Sequence, residues 1–137
     1  MQVTIRIPAV VIDVMVENAE RDYPRETCGV LVGKHEGAVL RAIPIPNRAE
    51  KSTRYEFDPL IFRDVERDAD AQGLRVIGIY HSHPDHPAMP SETDRALAWP
   101  DYLYVILAVK RGKVTDIRVW RFPERSALPE PVALVTA

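Results

Sequence analysis

The stretch His81–Asp94, HSHPDHPAMPSETD, decides the fold that we predict, and it follows a run of mostly apolar residues. The pattern over Leu74–His83 predicts a strand that leads into this stretch. Because side chains alternate along a strand, His81 and His83 point to the same side, and both imidazoles can reach one metal ion. The ten residues between His83 and Asp94 are enough for the chain to loop back and present a carboxylate to that ion.

This set of side chains is typical of a catalytic zinc site. Two imidazole nitrogens and one carboxylate oxygen suit zinc, and three protein ligands leave a fourth position for water. Each part also has a simpler explanation, because a His-x-His pair is often solvated and Ser91-x-x-Asp94 alone indicates a helix capping box. We interpret His86 as a solvated loop residue. The complete string favours a metal site held by His81, His83 and Asp94.

The string resembles the JAMM motif of the MPN-domain metalloproteases, which is His-x-His-Pro followed by Pro-Ser-x-x-Asp. The family pattern also requires a glutamate before a strand of small apolar residues and glycines, and Glu26–Gly33 has this form. The resemblance implies that zinc binds the three residues named above. It further implies that Glu26 is the general acid/base and that Ser91 stabilises the oxyanion. Cys28 is interpreted as a small buried residue and not as a ligand.

The resemblance implies a fold as well as a site. That fold is α/β, a single MPN (JAMM) domain with a curved mixed β-sheet flanked by helices and a cytidine-deaminase-like architecture. With 137 residues, the chain fits one domain over 1–137. The net charge is -2 without a basic run, so nucleic-acid binding has no support from charge. A single cysteine excludes an internal disulfide, and the absence of a long apolar stretch or signal peptide predicts a cytoplasmic protein that does not bind membranes.

The family resemblance also implies a substrate class. Members cleave amide bonds after the C-terminal glycine of ubiquitin or of ubiquitin-like proteins. Only Trp99–Asp101 separates the predicted short helix from the next strand, so the chain resembles the short bacterial members that process ubiquitin-like sulfur-carrier proteins. The sequence therefore predicts a zinc-dependent peptidase or isopeptidase that cleaves after the C-terminal Gly-Gly of such a carrier and releases an amino acid or another group.

Two expectations concern how the carrier binds. Its extended tail is expected to add a strand to an exposed sheet edge, and its glycines would let the backbone pass close to the metal. The polar segment Asn47–Tyr55 is predicted to be an exposed loop beside the globular part of the carrier. Changes in this loop should alter apparent affinity more than turnover.

Three alternatives remain open at this point. The first is a general deubiquitinase-like peptidase. The second is a non-catalytic MPN scaffold, which the complete ligand set disfavours. The third is a relative of the RadC-like family, which shares the metal motif but usually has a helix-hairpin-helix domain in front. Neither the group that is released nor the oligomeric state follows from the sequence.

Periodicity and punctuating residues predict the remaining elements. Alternation over 2–7 predicts a strand, and Pro8 begins a helix that Pro24 ends. Asp58-Pro59 begins a second helix that Gly73 closes, and a short third helix is predicted over Ser91–Ala98. In the predicted strand Leu74–His83, Ile77 and Ile79 should share the face of the two histidines. The other predicted strands are Thr27–Val32, Val39–Ile45, Tyr102–Val109, Val114–Phe122 and a tail at Val132–Val135, either an edge strand or a docked end.

Overall fold

The computed structural model describes residues 4–35, 37–49, 54–125 and 127–136. Within these ranges the chain forms seven strands and three helices. The strands are β1 (Thr4–Ile7), β2 (Cys28–His35), β3 (Ala38–Pro44), β4 (Arg75–Pro84), β5 (Leu103–Lys110), β6 (Lys113–Arg121) and β7 (Glu130–Thr136). The helices are α1 (Ala9–Asp22), α2 (Pro59–Ala71) and α3 (Glu92–Leu97). Residues 2 and 3 of the first predicted strand and residues 50–53 of the predicted loop lie outside the described residues.

The strands form one mixed sheet in the order β1-β3-β2-β4-β5-β6-β7, which closes through pairing of β7 with β1. The pairs β1–β3, β1–β7 and β4–β5 are parallel, and the other pairs are antiparallel. The predicted mixed sheet with helices is therefore confirmed. Of the two alternatives for Val132–Val135, the edge strand was wrong, because β7 lies between β6 and β1, whereas the tail does dock against the rest of the sheet. Each described strand has a neighbour on both sides, but β1 and β3 pair only through Arg6 and Ala38, so no strand pairs with the rest of the outer edge of β3.

The sheet is covered on both faces, which explains why β2 is apolar without alternation. Leu31 packs in the largest cluster of buried residues, which includes Val11, Met15 and Ala19 of α1. Its neighbours Val30 and Val32 pack instead with Ala69 of α2. Burial of the apolar stripe of α1 offsets the weak helix propensity of its valines.

The first turns of the helices match the sequence signals. Asp58 caps α2 by accepting a hydrogen bond from the Leu60 N–H at 2.9 Å, and Pro59 occupies the first helical position. Pro8 is the N-cap of α1 and not its first helical residue. Gly73 follows α2 with a φ of 72°, a left-handed conformation that glycine adopts at low cost.

Strand β4 contains both predicted histidine ligands, and its other side chains pack on both faces of the sheet. Ile79 packs with Tyr104 on one face of the sheet, whereas Tyr80 packs on the α1 face. Ile77 also packs on the α1 face, so its predicted place beside Ile79 was wrong. A β-bulge explains the change, since Leu31 pairs with Gly78 while the next residue of β2 pairs with Val76.

Candidate active site

The three predicted metal ligands lie together at the end of β4. His81 Nε2 is 3.2 Å from His83 Nε2, and Asp94 Oδ2 is 3.2 Å and 3.0 Å from these two nitrogens. The strand supplies both imidazoles on one face, as predicted, and α3 supplies the carboxylate. Both histidines are buried, and Asp94 is partly buried.

These atoms fit a zinc ion because they form a cluster of acceptors. The Nδ1 atom of His83 lies 2.8 Å from the Pro87 carbonyl oxygen, which only accepts, so that nitrogen carries a proton. A hydrogen bond from His83 Nε2 to Asp94 then requires the protonated ring, with a hydrogen on both nitrogens. In the neutral ring that binds metal, Nε2 is a lone pair facing the Asp94 oxygen, and a metal ion would take the place of that proton between them. Ligands about 2.0–2.1 Å from a tetrahedral zinc ion lie about 3.3 Å apart, which is close to the observed spacing.

Burial and charge together keep this cluster ready for a cation. Burial raises the pKa of Asp94, but the hydrogen bonds from His81 and His83 outweigh it and hold that pKa well below its usual range. Burial lowers the pKa of His81, which favours the neutral ring that binds metal. Burial also lowers the pKa of His83, but hydrogen bonds to Asp94 and Pro87 leave it above the ordinary value.

Asp94 reaches the cluster through a capping box at the start of α3. Ser91 Oγ accepts from the Asp94 N–H at 3.0 Å, and Asp94 Oδ2 accepts from the Ser91 N–H at 2.9 Å. The simpler explanation of Ser91-x-x-Asp94 is thus correct, and it coexists with the ligand cluster. Because the Ser91 oxygen accepts from the helix, its own hydroxyl hydrogen is left to donate elsewhere.

Glu26 lies just before β2 and beside this cluster. Its side chain is buried, and its Oε1 atom has no hydrogen-bond partner among the described residues. Burial raises the pKa of Glu26 from 4.5 to about 8, and the positive charge of His83 opposes the rise. A cleft of about 620 Å³ brings Glu26 and Ser91 to the same space as His83 and Met89. All five predicted site residues therefore lie at or beside one cleft.

Two other reactive side chains are outside this arrangement, as the sequence predicted. Cys28 is buried, its thiol donates to the Ile45 carbonyl oxygen at 3.3 Å, and burial raises its pKa to about 12. A thiol held in the neutral form does not bind metal readily. His86 is exposed on the rim of the cleft and does not join the ligand cluster.

Sequence reasoning missed three contacts of the site. The ring of Tyr55 stacks on the ring of His81, with centroids 4.6 Å apart and an interplanar angle of 29°. The Asn47 side chain donates to the Glu26 carbonyl oxygen at 3.0 Å. The carbonyl of Pro87 holds His83, but a backbone group leaves no signal in a sequence. The polar, irregular segment Asn47–Tyr55 indicated a loop, and no local pattern in that segment indicated that it contacts the metal site.

The prediction of an exposed loop over Asn47–Tyr55 was therefore partly wrong. Asn47 and Tyr55 are partly buried, and Ala49 between them is buried. Arg48 and Arg54 are exposed, as predicted. The described ends of this segment belong to the site itself.

Comparison with known proteins agrees with this geometry. Residues 8–123 match the family model of prokaryotic homologs of the JAB domain. The chain belongs to this family. It is 41% identical over 93 residues to a desampylase from Haloferax volcanii, a match that covers 66% of this chain and 67% of that protein. It is 37% identical over 136 residues to a CysO-cysteine peptidase from Mycobacterium tuberculosis, which covers 94% of this chain and 90% of the relative.

A solved structure supports the fold independently. The structure described as a metalloprotease-like JAMM zinc site in the proteasome and signalosome superposes with a TM-score of 0.58 at 18% identity, and the match covers 98% of this chain and 99% of that one. The predicted MPN fold and the resemblance to JAMM metalloproteases are confirmed, as is the predicted class of peptide-bond hydrolase. Among the described residues no helix is both long and apolar enough to cross a membrane.

Proposed function

We propose that this chain is a zinc-dependent peptidase that cleaves after the C-terminal Gly-Gly of a ubiquitin-like sulfur-carrier protein. His81, His83 and Asp94 would hold the zinc ion. Glu26 would serve as the general acid/base, and Ser91 would stabilise the oxyanion. The observation that carries the proposal is the cluster of three acceptor atoms, 3.0–3.2 Å apart, beside a cleft that Glu26 and Ser91 also line.

Each side chain has properties that suit its role. Zinc bound here would act as a Lewis acid and would make water more acidic at neutral pH. Burial raises the pKa of Glu26 to about 8 without the metal, and a bound cation would lower it toward neutral pH, where the carboxyl group can both accept and return a proton. It would take the proton of the attacking water and pass it to the leaving amine. The free hydroxyl hydrogen of Ser91 would donate to the oxyanion that forms on the scissile carbonyl.

The relatives support the substrate class. A CysO-cysteine peptidase acts, by its name, on a bond to cysteine, and it aligns with almost the whole of this chain. The cleft that Glu26 and Ser91 line gives access to the proposed zinc site, so we expect the end of the carrier tail to bind there. Glycines at the end of the tail suit this path, since they have no side chain to keep the backbone away from Glu26 and Ser91.

Two alternatives make different predictions. A general deubiquitinase-like peptidase would accept many peptides, because it would not depend on a particular tail. A non-catalytic scaffold would need no ligand cluster, yet all three ligand atoms are present and close together. The cluster favours an enzyme, so the remaining question is the substrate.

The test uses three substrates of equal size: a carrier ending in Gly-Gly-X, a matched carrier ending in Gly-Ala-X, and an unrelated peptide fusion. Purified protein is incubated with each, with and without a chelator, and products are identified by intact mass. We expect chelator-sensitive cleavage after Gly-Gly and a strong loss of rate for Gly-Ala. Equal rates on all three would indicate a general peptidase, and no cleavage by zinc-loaded protein would favour the scaffold.

A further inference from the structure

The side chain of Asn47 makes four hydrogen bonds at the edge of the site. Its Nδ2 group donates to the carbonyl oxygens of Glu26 and Arg54, each at 3.0 Å. Its Oδ1 atom accepts from the backbone N–H groups of Ala49 at 2.9 Å and Glu56 at 3.0 Å. A primary amide has two donor hydrogens and two acceptor lone pairs, so this side chain uses its whole capacity. It therefore links Glu26, just before β2, to both described ends of one loop, at Ala49 and at Arg54 and Glu56.

These bonds fix the backbone of Glu26 on one side, and a second set fixes it on the other. The N–H of Thr27, the next residue, donates to Ser82 Oγ at 2.8 Å, and the Ser82 N–H donates to the Thr27 carbonyl oxygen at 3.1 Å. Ser82 lies between the two histidines of β4. The Glu26 carboxyl oxygen Oε1, in contrast, has no partner among the described residues. Glu26 is therefore oriented through its main chain, while its carboxyl group is left for the reaction.

The same amide also helps to hold Tyr55 in place, together with the backbone bond from the Arg48 N–H to the Glu56 carbonyl oxygen at 3.1 Å. Arg54 and Glu56, the residues on either side of Tyr55, are the two loop residues that bond to Asn47 across the loop. Between them the Tyr55 ring packs against His81 at a centroid distance of 4.6 Å. One side chain thus holds the backbone of the acid/base and the ring that covers a predicted zinc ligand.

We propose that Asn47 is a positioning residue for the peptidase reaction, which acts by holding the main chain of Glu26 and the loop that carries Tyr55. The inference rests on the proposed role of Glu26 as the acid/base. The hydrogen bonds of Asn47 do not include His81, His83 or Asp94, whose places depend on β4 and on the capping box of α3, so we expect the zinc content to survive its loss. A displacement of about 1 Å in a reacting group costs roughly 10- to 100-fold in rate, and this is the loss expected without Asn47.

Two variants and one matched control test the contacts. Asn47→Ala removes all four hydrogen bonds. Asn47→Asp keeps an acceptor oxygen for Ala49 and Glu56 but loses both donors, including the one to Glu26. The control Arg118→Gln removes an exposed ion pair with Asp116, 2.8 Å long, on β6 and outside this loop. We expect both Asn47 variants to lose kcat roughly 10- to 100-fold with KM and zinc content unchanged, and the control to keep its kcat. For Asn47 this expectation replaces the one from the sequence, that changes in this loop alter apparent affinity more than turnover.

A double-mutant cycle separates positioning from general structural support. Each Asn47 variant is combined with Glu26→Gln, and single-turnover rates are measured with enzyme in excess. If Asn47 acts through Glu26, its replacement causes no further loss in the Glu26→Gln background, although the melting temperature falls equally in both backgrounds. A further loss by the same factor, or normal kcat in both single Asn47 variants, would overturn the inference. Full activity of Glu26→Gln alone would instead refute the proposed function.

Discussion

Replacing Glu26 by glutamine should stabilise the metal-free protein at pH 8 and leave its stability nearly unchanged at pH 4.5. Burial raises the pKa of this carboxyl group from 4.5 to about 8, because the ionised form is poorly solvated there. In the unfolded chain Glu26 loses its proton near pH 4.5, whereas in the folded chain it keeps the proton until about pH 8. Between these values the unfolded state binds fewer protons, so the free energy of unfolding falls as pH rises.

The size of this effect follows from the pKa change. A rise from 4.5 to about 8 is equivalent to about 5 kcal/mol at and above pH 8, since one pKa unit corresponds to about 1.4 kcal/mol. Glutamine resembles the protonated form and does not titrate, so the variant avoids this loss. Titrating groups distant from Glu26 contribute equally to both proteins and cancel in the difference, whereas the interactions of Glu26 with His83 and Asp94 are lost in the variant. Zinc beside Glu26 would favour the carboxylate, so the difference should shrink when the metal is restored.

The assay is urea denaturation of chelated protein at pH 4.5, 6 and 8, followed by the fluorescence of Trp99 and Trp120. A matched control, Glu66→Gln, changes an exposed glutamate of α2. We expect the difference between Glu26→Gln and the natural chain to grow steadily with pH, and the control to show no such trend. Parallel stability curves for Glu26→Gln and the natural chain would refute the argument that burial keeps this carboxyl group protonated.

Two further predictions concern the metal and the oxyanion. The natural chain should bind about one zinc ion, and the double variant His81→Ala/His83→Ala should bind almost none by elemental analysis; full occupancy in that variant would exclude the assigned ligands. Ser91→Asp should keep the helix cap and a nearly normal melting temperature, yet lose turnover by roughly 100-fold or more, because it places negative charge beside the oxyanion. Turnover that simply follows melting temperature across Ser91 variants would mean that capping is its only role.

The parts of the molecule that sequence predicted well depend on local patterns. Strand alternation determines that His81 and His83 share a face, and the capping signature determines the start of α3. The start of α2 is likewise a local signal, because it depends only on the N-cap Asp58 and on Pro59, which follows it. The sequence could predict that His81, His83 and Asp94 lie together because two such local elements, β4 and α3, are close in the chain and each presents side chains in a fixed direction.

The parts that sequence did not predict depend on contacts between distant residues. The strand β7 closes the sheet by pairing Ala133 with Thr4, a contact that no local pattern records. The bulge that moves Ile77 to the other face lies beside Gly78, a residue that can mark a bulge, but the place of the bulge is set by the register with β2. Asn47 resembles an ordinary loop residue, and only the fold shows that its amide bonds to the backbone of Glu26.

The helix α3 shows why capping and metal binding need not be competing explanations. It has six residues, none of them buried, and a helix this short is not stable alone. Its first turn is held by the capping box, and just after its end the Trp99 N–H donates to the Tyr104 hydroxyl at 2.7 Å. The capping box fixes the orientation of Asp94 before any cation binds, as partners outside the ligand set commonly do. A cation bound by Asp94 and the two histidines of β4 would in turn link α3 to β4. The Ser91 oxygen can serve the helix while its hydrogen serves the substrate, so both roles fit one hydroxyl group.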